Sequence, residues 1–334
     1  EQSSGKNRAH ILLDNALGPL ALSLIRDDVI EVYCNSNDLH VWIEYVGVGR
    51  VKTDIVLKAE DRRKIIETVA SFSKTIATKN QPLISAELPK YGYRFEGSLP
   101  DISILPSFNI RKPADVIFTL DDYVSQGVMT EQQKDIICSA VHRKLNILIG
   151  GGTGSGKTTL CNAILDEISK TRDRLVILED TRELNCTAED YESFRTNDTV
   201  NMRRRPDRII VGEVRDGAAY DLLKAWNTGH PGGISTVHAN DALECLKRIA
   251  ALSLESGGNG SSAPPLSVVN SLIGSTVNLV VFISRSSKLI DGKMVRGRTI
   301  KEVAYVKDYD VETGAFTLEY DSSKIFQLLE GVKV

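Results

Sequence analysis

A glycine-rich segment near the middle of the chain has the residue types that hold a polyphosphate. Its sequence, Gly151-Gly-Thr-Gly-Ser-Gly-Lys-Thr158, fits the pattern G-x-x-x-x-G-K-[ST]. Glycines let the backbone turn sharply, so that successive N–H groups converge on phosphate oxygens, and a following helix adds a favourable dipole at its N-terminus. The alternative is a glycine-rich strand-to-helix turn without a ligand. Strand and helix patterns on the two sides favour a site for ATP or a related nucleotide.

Two side chains of this segment have separate predicted tasks. Lys157 would hold the β- and γ-phosphates, and the hydroxyl of Thr158 would bind Mg²⁺. The predicted nucleotide-binding residues are Gly151, Gly152, Thr153, Gly154, Ser155, Gly156, Lys157, Thr158 and Thr159.

Two apolar segments farther along the chain end in carboxylates, at Glu179-Asp180 and at Glu213. The carboxyl ends of parallel strands meet at one edge of a sheet, which would place these acids beside the glycine-rich segment. Hydrolysis needs one carboxylate to hold Mg²⁺, usually through water, and one to orient the attacking water. Glu179 and Glu213 can share these roles, and the sequence does not assign them. For either acid, a strand-end cap or a salt bridge is the structural alternative.

Histidines and arginines near the same strands could act on phosphoryl charge. His238 follows an apolar strand and could sense the γ-phosphate, although a hydrogen-bonded structural role is an equal alternative and is favoured for His230. Arginine can neutralise developing charge and can come from a neighbouring subunit. The run 203–205 could instead contact nucleic acid, but adjacent basic residues more often form a solvated loop. The arginines predicted here are Arg182, Arg203 and Arg215.

Hydrophobic periodicity predicts the elements that must position these residues. In the second half of the chain, apolar strands alternate with helix-length stretches, which predicts an α/β domain with a mostly parallel sheet covered on both faces. The predicted strands are Leu145–Ile149, Leu175–Leu178, Arg208–Val211 and Ile234–Val237, followed by an antiparallel addition at Val277–Ile283, Glu302–Tyr305 and Ala315–Tyr320.

The front of the chain predicts a mixed α+β domain. Val29–Cys34 and Leu39–Tyr45 alternate around turn-forming residues and predict a hairpin. Residues Ala59–Ala77 predict an amphipathic helix, and short strands are expected around Tyr93–Phe95 and Phe108–Arg111. We therefore divide the chain into an N-terminal domain at 1–113, a linker at 114–128 and a nucleotide-binding domain at 129–334.

Composition limits the remaining function classes. The 334 residues contain 41 Lys plus Arg and 44 Asp plus Glu, so a formal charge of -3 gives no global attraction to nucleic acid or acidic lipid. The five cysteines stand singly, which argues against zinc and disulfides. No apolar run has membrane-span length and the first eight residues lack a signal-peptide core, so we expect a cytoplasmic protein.

Four motifs, taken in order, resemble those of the secretion traffic ATPase superfamily. The resemblance is to its type IV secretion and conjugal-transfer branch, and within that branch to the TrbB-type ATPases. The motifs are GGTGSGKTT, ILEDTREL, RRRPDRIIVGEVRD and TGHPGGISTVHAN. The resemblance continues in front through YRFEGSLPD, FNIRKP and FTLDDYV, and is loose after Ser284.

The resemblance implies a homohexameric ring with a mixed front domain and a RecA-like ATPase domain. It further implies docking to an inner-membrane secretion channel and its coupling components, on the cytoplasmic side. Lys157 and Thr158 take the phosphate and Mg²⁺ positions, Glu179 and Glu213 the acidic positions, and His238 the sensor position. In such proteins, arginines of the front domain reach the nucleotide, and Arg94 and Arg111 occupy the matching positions. The alternative role for these two residues is an ordinary surface ion pair. A tetracysteine zinc module, common in type II secretion and pilus relatives, is missing from this sequence, which favours the type IV branch.

Three functions are compatible with these sequence features. An ATP-hydrolysing motor is favoured by the strand-end carboxylates beside the glycine-rich segment. A nucleotide-gated assembly scaffold would form rings on ATP with little turnover. A nucleic-acid translocase would need strong salt-dependent binding of single strands, and the near-neutral charge argues against it.

Overall fold

The computed structural model describes the chain in two compact units, residues 1–115 (unit 1) and 116–334 (unit 2). The residues described are 11–45, 48–73, 77–78, 80–88, 91–100, 102–112, 118–180, 182–195, 205–255, 264–290 and 293–332, with the backbone alone for 288–290 and 293–296.

Unit 1 is built on a six-stranded antiparallel sheet in the order β3-β2-β1-β6-β5-β4. The predicted first hairpin is confirmed, because β1 and β2 pair antiparallel. Its strands are β1 (Val29–Cys34), β2 (His40–Tyr45), β3 (Gly49–Val56), β4 (Leu83–Glu87), β5 (Arg94–Ser98) and β6 (Ser107–Arg111). The helices are α1 (residues 11–17), α2 (Leu20–Leu24) and α3 (Ala59–Phe72).

Helix α3 is shorter than the periodicity predicts. It ends at Phe72, whereas the prediction extends to residue 77, and residues 74–76 of the predicted helix lie outside the described residues. The backbone N–H of Ser73 contacts the carbonyls of both Val69 and Ala70, and its hydroxyl donates to the Val69 carbonyl. A side chain that bonds the preceding turn slightly disfavours continuation of the helix.

A buried arginine ties α3 to the sheet of unit 1. Arg62 has no exposed surface, and its guanidinium donates to four backbone carbonyls. The acceptors belong to Asn35, Asp38, Leu57 and Pro106, at 2.5–3.3 Å. Buried polar groups need such partners, and here one side chain bonds the β1–β2 turn and the residues next to it, after β3 and before β6.

Unit 2 contains an eight-stranded sheet in the order β14-β13-β12-β7-β11-β10-β8-β9. Strands β12, β7, β11, β10, β8 and β9 are parallel, and β13 and β14 extend the sheet antiparallel. The strands are β7 (Ile147–Gly150), β8 (Leu175–Glu179), β9 (Tyr191–Arg195), β10 (Arg208–Val211), β11 (Ile234–Val237), β12 (Leu279–Ile290), β13 (Lys293–Asp310) and β14 (Ala315–Glu319). The predicted mostly parallel sheet with an antiparallel addition is confirmed.

Helices of unit 2 cover both faces of this sheet. One apolar cluster joins β7 and β8 to the helices that precede and follow β7, and a second lies on the opposite face. The helices are α4 (Leu120–Ser125), α5 (Glu131–His142), α6 (Lys157–Ser169), α7 (Ala218–Asn227), α8 (Ala242–Leu254), α9 (Leu266–Thr276) and α10 (Ser322–Gly331). Helix α4 lies inside the segment predicted as a linker, and its Leu120 and Tyr123 are buried in the first cluster. The predicted domain boundaries stay predictions.

Buried polar side chains link the strands of the unit 2 sheet at the edge where the parallel strands begin. Asn146, just before β7, donates to the Thr276 carbonyl at 2.8 Å and accepts from the Gly233 N–H at 2.9 Å. Arg208, the first residue of β10, is buried and pairs with Asp173 at 2.7 Å. Because these partners precede or follow other strands, the bonds hold neighbouring strand ends together at the edge opposite the carboxyl ends.

Candidate functional site

The glycine-rich segment connects β7 directly to α6, as the sequence predicts. Gly154 and Gly156 have φ of +67° and +101°, in the left-handed region that favours glycine. Gly156 is also the N-cap of α6 and supplies no side-chain cap. The amide groups of the first helical turn are therefore not capped by a side chain and can face an anion.

The backbone of this loop is packed too closely for side chains at two positions. A Cβ on Gly150 would lie 2.1 Å from Cys245 Sγ, and a Cβ on Gly151 would lie 2.4 Å from the Ile283 carbonyl oxygen. Strand β12 and helix α8 therefore support the loop from behind. The glycines permit this contact as well as the turn itself.

Lys157 folds back across the loop. Its Nζ donates to the carbonyls of Gly151 at 2.9 Å and Gly152 at 3.3 Å. Burial lowers the pKa of Lys157, and the negative charge of Glu213 opposes that shift. The amine is thus held in the concave side of the loop, where the motif requires a phosphate ligand.

Two observations test whether the loop fits a polyphosphate. Ser155 is buried, and its hydroxyl has no hydrogen-bond partner among the described residues. The Lys157 amine contacts only loop carbonyls within hydrogen-bond distance in the described part of the chain. A donor set of an amine, a hydroxyl and helix N-terminal amides is chemically suited to phosphate oxygens, so the residues fit the group.

A carboxylate that sequence reasoning missed lies next to Thr158. The Oγ1 of Thr158 is 3.4 Å from Oε2 of Glu183. Asn162 of α6 donates to the Glu183 carbonyl at 3.2 Å and accepts from the Asn185 N–H at 2.9 Å, so α6 itself fixes this segment. The available signal was the position of Glu183 in the acidic run that contains Glu179.

Glu179 lies at the end of β8 with only 4% of its surface exposed. Its Oε1 accepts the backbone N–H groups of Glu183 at 2.9 Å and Leu184 at 2.8 Å. Burial raises the pKa of Glu179 to about 7 despite those hydrogen bonds. The carboxyl group therefore anchors the segment that carries Glu183, and the metal role assigned to Glu179 from sequence stays a prediction.

Glu213 and Arg215 form an ion pair near enough to the loop lysine for its charges to act there. Arg215 Nε donates to Glu213 Oε2 at 2.7 Å, and Arg215 lies 3.9 Å from Asp180. The charges of both residues act on Lys157. The turn that carries Glu213 is fixed by Thr236 of β11, whose hydroxyl donates to the Gly212 carbonyl at 2.7 Å. The structure thus brings Lys157, Glu213 and Arg215 together.

Of the remaining site residues predicted in unit 2, some lie near the glycine-rich loop and others do not. Val237 pairs with Gly150, so His238 comes at the level of Gly151 and is exposed. Arg182 is exposed, and its charge acts on Glu179. His230 Nδ1 lies 2.8 Å from the Pro206 carbonyl oxygen, in agreement with a structural role. Arg203 lies outside the described residues.

The two front-domain arginines are neighbours within unit 1. Arg94 of β5 and Arg111 of β6 face each other across the two strands. Arg94 also donates to Glu96 at 3.1–3.2 Å. Their predicted contact with a nucleotide stays a prediction.

Sequence reasoning also missed two arginines on the hairpin of β12 and β13. Arg285 and Arg298 are cross-strand partners, and both are exposed. Arg285 Nε lies 3.3 Å from the Gly154 carbonyl oxygen, and the Arg298 side chain lies against Gly156. No motif indicated them, because their position depends on pairing between strands separated in sequence.

The described ranges contain neither a metal-binding cluster nor a membrane-spanning helix. No group of three or more His, Cys, Asp or Glu side chains there could hold a metal ion. A Mg²⁺ held by one hydroxyl and by carboxylates through water does not require such a group. None of the described helices combines the length and apolarity needed to cross a bilayer.

Comparisons with known proteins agree with this geometry. The family profile described as "Type II/IV secretion system protein" matches residues 36–299. The chain is 45% identical over 308 residues to conjugal transfer protein TrbB of Rhizobium radiobacter, covering 89% of this chain and 90% of that protein. It is 30% identical over 293 residues to type IV secretion system protein VirB11 of Bartonella henselae, covering 73% and 82%.

Solved structures support the fold. The pilus retraction motor PilT with bound ADP has a TM-score of 0.59 at 18% identity, covering 86% of this chain and 82% of that one. The DotB ATPase of Legionella pneumophila has a TM-score of 0.57 at 18% identity, covering 96% and 87%. The predicted fold class, a mixed α+β front domain followed by a RecA-like domain, is confirmed. On its motifs and on the profile match, the chain belongs to the type II/IV secretion system protein family.

Proposed function

We propose that this chain is a Mg²⁺-dependent ATPase that acts as a hexameric motor in type IV secretion, specifically in conjugal transfer. The observation that carries the proposal is the joint placement of Lys157, Glu213 and Arg215 at the loop that fits a polyphosphate. The relatives' names add the conjugation setting. A cytoplasmic location beside the inner membrane, with a secretion channel and coupling proteins as partners, belongs to the same proposal and follows from the resemblance of the motifs to the secretion traffic ATPases.

In the proposed reaction, the loop amides and Lys157 bind the β- and γ-phosphates and neutralise their charge. Thr158 would hold Mg²⁺ together with Glu183 or Glu179 through water. When bound, the ion polarises the phosphoryl oxygens.

Glu213 would orient the attacking water and accept its proton. We favour Glu213 over Glu179 for this role because Glu179 already binds two backbone N–H groups through Oε1. Arg215 holds the Glu213 carboxylate in place, and its positive charge would stabilise the negative charge that develops on the phosphoryl group.

Phosphate release by the purified protein tests this proposal. We expect Lys157→Ala to lose ATP binding, and Glu213→Gln to keep binding while phosphate release falls at least about a hundredfold, as for loss of a general base. Matched controls are Lys247→Ala and Glu244→Gln, which alter an exposed ion pair on α8. Wild-type rates in Glu213→Gln would contradict the assignment of the base. Tight binding of Mg²⁺ and ATP by wild type without turnover would favour the scaffold function.

A further inference from the structure

We propose that Arg285 and Arg298, here called the arginine pair, bind the nucleoside end of the nucleotide by stacking on its base. The proposal rests on the ATPase function above and adds to it a contact that no motif predicts. It assigns a binding task to the β12–β13 hairpin, which lies outside the residues that act on the phosphates.

The arginine pair lies directly on the phosphate-binding loop. Arg285 Nε donates to the Gly154 carbonyl at 3.3 Å, and a Cβ on Gly154 would lie 2.2 Å from Arg285 Nη2. A Cβ on Gly156 would lie 2.9 Å from Arg298 Cδ and 3.0 Å from its Nε. Both side chains therefore pack on glycine backbone and remain exposed beyond it.

The strand order shows which end of the nucleotide faces the pair. In the sheet, β11, β10 and β8 lie on one side of β7, and β12 and β13 lie on the other. His238, Glu213 and Glu179 follow or end the strands on the first side, so the γ-phosphate is expected there. A nucleotide held at the loop then extends its ribose and base toward the β12–β13 side.

The charges of the pair indicate a ligand. Arg285 and Arg298 are directly opposite each other, and like charges in this arrangement destabilise a strand pair. Within the described part of the chain, neither guanidinium forms an ion pair with a carboxylate. A planar, weakly hydrated guanidinium stacks well on an aromatic face, and a purine provides that face close to the charge of the phosphates.

This chemistry sets the expected specificity. Every base has a π-face, so stacking tolerates different bases. We therefore expect the pair to raise the affinity for adenine and guanine nucleotides to a similar degree.

Equilibrium titration with two ligands tests the proposal. ADP has a nucleoside end, whereas inorganic tripolyphosphate has only the phosphates. We expect Arg285→Ala to weaken ADP binding about tenfold, in the range of a cation–π contact, and to leave tripolyphosphate binding unchanged. Arg298→Ala should act in the same direction. Arg285→Lys should lose most of the same affinity, because lysine keeps the charge but has no planar group to stack.

The control is Lys301→Ala, which removes a positive charge from an exposed residue of β13. Equal losses for ADP and tripolyphosphate in Arg285→Ala would assign the pair to the phosphates and overturn the proposal. Wild-type ADP affinity in Arg285→Ala or Arg285→Lys would also overturn it while leaving the ATPase function intact. Failure of wild type to bind either ligand would instead refute the ATPase function on which the proposal rests.

Discussion

At the scale of single residues, Glu179 links the site to stability through its titration. Its pKa is raised to about 7 by burial, from an ordinary value of 4.5. The folded chain therefore keeps this proton at pH values where the unfolded chain has released it. By linkage, stability is lost as pH rises from about 4.5 to about 7, and it stays lower above that range.

Glu179→Gln should remove this dependence, because an amide oxygen can still accept both backbone N–H groups without ionising. We expect the free energy of unfolding of the variant, relative to wild type, to increase by up to about 3 kcal/mol between pH 4.5 and pH 8. Denaturant unfolding across that range measures it, with Glu244→Gln, which alters the ion pair with Lys247, as control. A difference between variant and wild type that does not change with pH would refute the raised pKa.

The loop glycines give a second prediction at this scale. A Cβ on Gly151 would collide with the Ile283 backbone carbonyl at 2.4 Å, whereas a Cβ on the adjacent Gly152 meets nothing within 4 Å. Gly151→Ala should destabilise unit 2 by about 1–3 kcal/mol, and Gly152→Ala should change its stability by less than about 0.5 kcal/mol. Thermal unfolding of the two variants provides the comparison. Equal melting temperatures would show that the loop can move away from β12.

Local motifs explain which site residues the sequence could predict. Lys157 and Thr158 belong to one contiguous pattern, and Glu213 comes directly after a recognisable apolar segment. Glu183 was missed because it belongs to an irregular segment that Asn162 and Glu179 hold in place. The arginine pair was missed because only the long β12–β13 pairing brings it to the loop.

At the scale of elements, the strongly apolar strands were predictable and the polar ones were not. Strand β9 has no fully buried residue, and its side chains give no alternation. Strand β13 runs from Lys293 to Asp310, although only its apolar part around Glu302–Tyr305 was predicted. Pairing with a neighbour, rather than burial of an apolar face, defines these strands, and a single sequence does not reveal such pairing.

The link between α3 and the sheet of unit 1 depends on Arg62. Arg62→Met would keep much of the side-chain volume but remove the guanidinium from four backbone carbonyls, two of them in buried contacts. We expect a loss of about 2–4 kcal/mol in unfolding free energy. The control is Arg63→Met on the same helix, where the exposed guanidinium lies 3.6 Å from Glu67 and a change within about 0.5 kcal/mol is expected. Equal losses in the two variants would mean that the four hydrogen bonds of Arg62 do not stabilise unit 1 more than an exposed ion pair does.

At the scale of the whole molecule, the proposed ring can be tested by mixing inactive variants. If Arg111 completes the site of a neighbouring subunit, Arg111→Ala and Glu213→Gln inactivate different parts of shared sites. Mixing the two proteins should then restore part of the phosphate release, because some interfaces receive two intact halves. The measurement is the rate across mixing ratios at fixed total protein. The control is Glu213→Gln mixed with the double variant Lys157→Ala, Glu213→Gln, because both defects then lie in the same half of the site and no interface is intact. Rates that equal the sum of the separate proteins would place both residues in one subunit.

The buried hydrogen bonds of Asn146 have a consequence for how unit 2 moves. Its side chain engages Gly233 and Thr276, and its own N–H is bonded to Asn278 Oδ1 at 2.9 Å. In amide hydrogen exchange, the N–H groups of Gly233 and Asn146 should therefore be among the slowest in the domain, with or without nucleotide. Those of the glycine loop at the other end of β7 should slow markedly only when ligand is added. Motion driven by nucleotide would then begin at one edge of the sheet and pivot about the other.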